Sequence, residues 1–244
     1  MNKSFKICHC DVFDKTKFEK EKLTLNSQRN LKGVPASPDT TIYKSHLGTA
    51  YEDFETYRIE HEHNVNVSGR VNNVQFQQFI RKGEILGLQS EARRLLLLTG
   101  KKDDILSFCR YTASTELVQL STIEVDMSQL QEKLPTVNLV WFKFPTGMIK
   151  ASALMGEHIE QTPEFEQAKN FGGEISTLSF HIEDKKGVKH PIMVTHDGAV
   201  VLQSALIDIS QEIELVLEVK QELLDGLYIE KPVGKKTNSP ITTP

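Results

Sequence analysis

The sequence predicts an α+β fold: a mixed N-terminal αβ region, then an antiparallel hairpin-rich sheet, then a C-terminal helix. Three observations predict it. Strand-like and helix-like patterns alternate loosely up to about residue 125. Turn residues then punctuate short β-branched and aromatic runs between about 136 and 203. Last, apolar residues recur at helical spacing from Leu206 to Leu227. The alternation is too loose for a doubly wound α/β fold.

Phe5 to Phe13 (FKICHCDVF) places Phe5, Ile7 and His9 on one side and Lys6, Cys8 and Cys10 on the other, the period of a strand. Lys15 to Lys22 (KTKFEKEK) has little apolar face and reads as a solvated turn or short helix. Residues 24–56 hold Gly33, Pro35, Pro38 and Gly48 among Asn, Ser and Thr, which predicts a long loop. Tyr57 to Val67 alternates well, with Tyr57, Ile59, His61 and His63 on one face of a strand that Gly69 ends. Asn72 or Asn73 then caps a helix to about Lys82, with Val74, Phe76, Phe79 and Ile80 as its apolar positions and Gly83 as its stop. Arg93 to Thr99 (RRLLLLT), closed by Gly100, suits a buried strand. Asp103 and Asp104 favour the dipole of a following helix, cored by Ile105, Leu106, Phe108 and Cys109.

Leu117 to Val125 returns to strand composition, and Val137 to Phe144 (VNLVWFKF) is the strongest strand signal in the chain. Pro145 and Gly147 close it, and Met148 to Leu154 supplies a hairpin partner. Thr162 is the N-cap and Pro163 the first position of a helix that Gly172-Gly173 stops. Ile175 to Ile182 and Pro191 to Thr195 flank the turn EDKKGVKH, and His196-Asp197-Gly198 turns the chain again before Ala199 to Leu202. The polar tail after Pro232 is expected to be disordered. The chain thus divides into 1–125, 126–232 and a tail 233–244, with one composite domain as the alternative.

At 244 residues, with 39% hydrophobic and 25% charged, the composition is globular. A chain of this length buries roughly 70% of its unfolded surface and needs no disulfide or metal staple. No apolar run approaches the roughly 20 residues of a membrane span, and the N-terminus lacks the apolar stretch of a secretory signal. Cys8, Cys10 and Cys109 are an odd count, which points to reduced thiols and a cytoplasmic setting. Net charge is −4 but uneven: residues 1–111 carry 18 Lys or Arg against 14 Asp or Glu, and residues 112–244 carry 11 against 19. Such asymmetry marks a contact surface or mere drift in composition.

Chemistry-bearing residues are few. Cys8-His9-Cys10 offers soft zinc ligands, but on a strand His9 points away from the cysteines, and no CxxC or HxxxH completes a site. Core cysteines are the simpler reading. His61 and His63 share a strand face, roughly 7 Å apart by strand rise, and would grip a transition metal given a third ligand. GxSxG, GxxxxGK[ST], GxGxxG and HExxH patterns are absent. Leu98 to Lys102 sets backbone amides and two lysines at a strand-to-helix turn, a weak anion site. Arg70, Arg81, Lys82, Arg93, Arg94, Lys101, Lys102 and Arg110 make residues 70–111 the most basic stretch, eight positive against four negative. Gathered on one face, they would neutralise phosphates.

Near the C-terminus, Glu218-Val219-Lys220 is a Glu-x-Lys with Asp208 ten residues upstream. In minimal form it resembles the metal-dependent nucleases of the PD-(D/E)xK type. The resemblance, confined to residues 208–220, implies Mg²⁺ held by the Asp and the Glu, with the Lys orienting the attacking water. It requires a strand, which the alternation of Ile213, Leu215, Leu217 and Val219 permits. A stripe through Ile209, Ile213, Val216, Leu217, Lys220, Leu223 and Leu224 fits a helix as well, and the surrounding glutamates favour it.

Together these observations point to a non-enzymatic, cytoplasmic binding or adaptor protein with no cofactor and no membrane contact. Its partner is another protein, or a nucleic acid met through residues 70–111. The alternative is a Mg²⁺-dependent nuclease using Asp208, Glu218 and Lys220.

Overall fold

The structure, a computed structural model, describes residues 2–26, 39–71, 74–113, 115–204, 206 and 208–230. Its strands are β1 (Lys3–Phe13), β2 (Lys22–Asn26), β3 (Asp39–Tyr51), β4 (Phe54–Val71), β5 (Val74–Ser90), β6 (Leu95–Gly100), β7 (Val118–Val125), β8 (Leu139–Lys143), β9 (Ala151–Met155), β10 (Glu174–Glu183), β11 (Lys189–Thr195), β12 (Ala199–Leu202) and β13 (Tyr228–Glu230). The helices are α1 (Lys102–Thr112), α2 (Met127–Lys133), α3 (Pro163–Asn170) and α4 (Ile209–Val219), the last continued by a π-helical turn over Lys220–Leu224. None is long and apolar enough to cross a membrane.

Antiparallel sheet dominates, with a helix near the C-terminal end. The main path runs β2-β3-β4-β5-β6-β1-β12-β11-β10-β8-β9, and β7 joins β1 to β13. The N-terminal strand is the pivot. One edge of β1 meets β12 over Lys3–Lys6 and then β7 from Cys8 onward, with an irregularity between Cys10 and Val12; the other edge meets β6. The regions expected at 1–125 and 126–232 therefore share a sheet.

Alternation along β1 and β6 explains the layers. Phe5, Ile7, Leu95 and Leu97 enter one apolar core, closed by Met127 and Leu130 of α2 and by Ile213 and Val216 of α4. Cys8, Cys10, Leu96 and Leu98 enter the other, under Ile105, Phe108 and Cys109 of α1. All four leucines of the RRLLLLT run are buried because the sheet is covered on both faces there. Each contributes about 2 kcal/mol by burial.

Two expectations change. The long loop at 24–56 is replaced, over its described part, by the end of β2, by β3 and by the start of β4; residues 27–38 lie outside the described residues, as does the tail 233–244. The helix expected from Asn72 to Lys82 is instead strand β5 over residues 74–82, and its Asn72 or Asn73 cap lies outside the described residues. Val74, Phe76 and Ile80 share one strand face with Phe79 on the other, and pairing along β4 from Glu55↔Gln89 to Val71↔Val74 decides for strand. The remaining strand and helix expectations have counterparts, with α3 starting at Pro163 behind the Thr162 cap as read. Helix α2, capped by the Asp126 carboxylate, was not anticipated.

Candidate functional site: a two-stranded arm on a buried polar base

The β4–β5 hairpin outruns its neighbours. β3 pairs with β4 only as far out as Thr40↔His61, and β6 pairs with β5 only from Ile85↔Gly100 inward. From Glu62↔Lys82 to Val71↔Val74 the two strands pair only with each other among the described residues. At about 3.3 Å per residue this ribbon extends roughly 30 Å. An irregularity between Asn66 and Gly69 twists it. Between His63 and Gly83 the sequence has no Asp or Glu, while Asn64, Asn66, Gln75 and Gln77 supply exposed amides. Val67 and Phe79 stand half-exposed along it.

A buried polar cluster anchors the arm to α1. His61 is buried, its Nδ1 bonded to Thr40 Oγ1 at 2.7 Å and its Nε2 to Ser107 Oγ at 2.9 Å. Its ring stacks on His63 with centroids 5.8 Å apart. Burial first, and the His63 ring second, pull the His61 imidazole down to about 4. Asp104 of α1 is fully buried; Arg81 Nη2 donates to its Oδ1 at 2.7 Å, and His63 Nε2 lies 3.7 Å from the same oxygen. Gly83 makes room for this carboxylate, since a Cβ there would sit 2.4 Å from Asp104 Cγ. The glycine read as a helix stop is thus a strand position where backbone meets a buried acid.

The two histidines do share one face, as expected, but His61 is engaged elsewhere. Both nitrogens of His61 are bonded to hydroxyls, and among the described residues no group of three His, Cys, Asp or Glu is placed to hold an ion. Cys8 and Cys10 face the second core, where Cys8 Sγ lies 3.8 Å from Cys109 Sγ. Burial pushes the Cys10 thiol up to about 12.

The eight basic residues do not form one free patch. Arg81 is committed to Asp104 at 2.7 Å, Lys82 to Glu60 at 2.7 Å, Arg94 to Asp11 at 2.6 Å and Lys102 to Asp197 at 3.3 Å. Arg93 pairs with Glu52 and Asp53. Arg70 on the arm, and Lys101 and Arg110 at the two ends of α1, are exposed and have no carboxylate partner among the described residues. At the strand-to-helix turn, Asp103 and Asp104 already offset the helix N-terminus, so the anion reading is weakened there.

Asp208, Glu218 and Lys220 are not brought together. Asp208 Oδ1 caps α4 by accepting from Gln211 N at 3.0 Å. Glu218 lies ten residues on, roughly 15 Å along the helix axis, too far to share an ion. Burial pushes its carboxyl up, Lys185 opposes this, and Glu222 and Glu214 add to it. Lys220 Nζ instead binds Asp225 Oδ1 at 2.6 Å. The π-helical turn borders an open groove that also presents His158, His181, Glu157 and Glu183. These groups are exposed and belong to no metal-holding set.

Thr40, Asp104 and Ser107 belong to the base of the arm and escaped sequence reasoning. Asp104 had a local signal, a first-turn acid, but its target lies on another strand. No family model, no curated protein and no solved structure matches the chain.

Proposed function

We propose that the chain is a non-enzymatic binding protein that engages another protein through the 62–82 arm. The observation that carries this reading is the arm itself: two strands with no lateral neighbour among the described residues, rich in amides, with Val67 and Phe79 uncovered, and fixed at the base by the ion pair of Arg81 with the buried Asp104. A paired ribbon without lateral neighbours contributes little to its own fold, so its length serves contact. A protein partner is favoured over nucleic acid because five of the eight basic side chains are spent on carboxylates. The nucleic-acid reading keeps one supporting observation, the absence of any acid between His63 and Gly83 beside an exposed Arg70.

Affinity purification of the native chain and of a Val67→Asp/Phe79→Asp variant from the same cells tests the reading. We expect a protein retained by the native chain to fall at least about tenfold with the variant; identical sets would remove the arm as contact element. Fluorescence anisotropy with random duplex and single-stranded DNA and RNA, at about 50 and 200 mM salt, checks the other branch. Salt-sensitive binding lost on Arg70→Ala would turn the assignment to nucleic acid.

A further inference from the structure

The outermost strand of the sheet, β9, has an open edge. Its pairing with β8 fixes which groups are free. Phe144 N donates to Lys150 O at 3.0 Å and Gly156 N to Asn138 O at 3.1 Å, so residues 150, 152, 154 and 156 turn their backbone groups toward β8. Ala151, Ala153 and Met155 turn theirs outward, where nothing pairs with them among the described residues. Natural edge strands are usually blunted by a charge, a proline or a bulge. The sequence ASALM from Ala151 to Met155 has none of these. The surface beside it is apolar: Met148 is 99% exposed, Met155 79%, Ile149 67% and Trp141 43%.

We propose that β9 pairs antiparallel with β9 of a second copy of this chain, making a two-fold dimer with a sheet continuous across the axis. Hydrogen bonds across the seam must join outward-facing residues, and only an axis between the two Ala153 residues pairs all three of one strand with all three of the other. In that register each Ala151 faces the partner subunit's Met155, so a small side chain meets a large one on both sides of the axis. Lys150 falls opposite Gly156 of the partner subunit and one residue from the partner subunit's Glu157. Both Lys150 and Glu157 are exposed and have no ion-pair partner among the described residues, and the two-fold axis repeats their attraction. No like charges meet along the strand. Met148, Ile149 and Met155, exposed at 99%, 67% and 79%, add apolar surface beside the backbone edge. A foreign strand would satisfy the ladder but not this self-complementary pairing of size and charge. The surface is separate from the 62–82 arm, so the proposal stands without that reading.

Sedimentation equilibrium on the full chain tests it. We expect a dimer at about 50 μM, and monomers for Ala153→Pro and for Met155→Lys, each with an unchanged far-UV circular dichroism spectrum. Proline at 153 removes an outward N–H and leaves the β8 ladder intact. Lys150→Glu is expected to weaken the dimer at least about tenfold, and the double variant Lys150→Glu/Glu157→Lys to recover it. A monomer at all concentrations, or a dimer indifferent to these changes, would overturn the proposal, even if β9 then proved to bind a strand of another protein.

Discussion

A histidine whose two ring nitrogens both meet hydroxyls, inside a fully packed site, is a neutral structural group before it is anything else. His61 is held this way by Thr40 and Ser107, and burial, reinforced by His63, lowers its pKa to about 4. The unfolded chain takes up a proton near pH 6.5, and the folded chain does not until about pH 4. The stability this ring contributes is therefore complete above pH 6.5 and is lost as pH falls from there to about 4. At about 1.4 kcal/mol per pH unit, the loss is about 2 kcal/mol by pH 5. Urea unfolding at pH 7.5 and pH 5.0 checks this. The native chain is expected to lose that amount, and His61→Gln to be less stable at pH 7.5 but flatter between the two. Equal slopes would mean that the folded ring charges freely. The sequence already placed His61 and His63 on one strand face, because strand alternation is local. It could not show that Ser107, 46 positions away, would complete the bonding, because that depends on how α1 packs.

Among elements, the C-terminal helix and the arm show what local patterns can and cannot decide. Asp208 sits before an amphipathic run as an N-cap should, and its carboxylate accepts from Gln211 N at 3.0 Å. Asp208→Ala is expected to cost about 1 kcal/mol, and Asp208→Asn, which keeps a cap, a few tenths. Denaturant midpoints measure both. A nuclease would instead lose Mg²⁺-dependent cleavage of labelled DNA with either change, and this outcome would revive the metal reading that the helix geometry disfavours. In the arm, by contrast, the apolar positions of residues 74–82 follow neither the helix nor the strand period cleanly. The tie is broken by β4, whose own alternation was legible, lying alongside. The basic residues of 70–111 are evident in the sequence, but their partners Asp11, Glu60 and Asp197 come from other strands or turns and depend on how the chain folds.

On the scale of the whole molecule, neighbouring residues of one strand belong to opposite cores. Leu97 packs with Phe5 and Ile7 on the side closed by α2 and α4, and Leu98 with Cys8 and Phe108 on the side closed by α1. β1 and β6 lie in the middle of the sheet path, so neither core can lose its packing without loosening the strands that wall the other. Local hairpins such as β10–β11 were readable from their turns, but the pairing of β1 with β12, strands far apart in the chain, has no local signature. The shared wall predicts cooperativity. Leu97→Ala and Leu98→Ala are each expected to cost about 2–5 kcal/mol, the usual range for a buried leucine. Both should move a single transition. Trp141, the only tryptophan, reports from β8, whose Val140 and Phe142 lie in the core that Leu98 does not enter. Its emission and the far-UV circular dichroism should shift together in Leu98→Ala as well as in Leu97→Ala. If Leu98→Ala moved the circular dichroism while leaving the Trp141 transition in place, the two cores would be melting separately, and β1 would join two folding units instead of forming the wall of one.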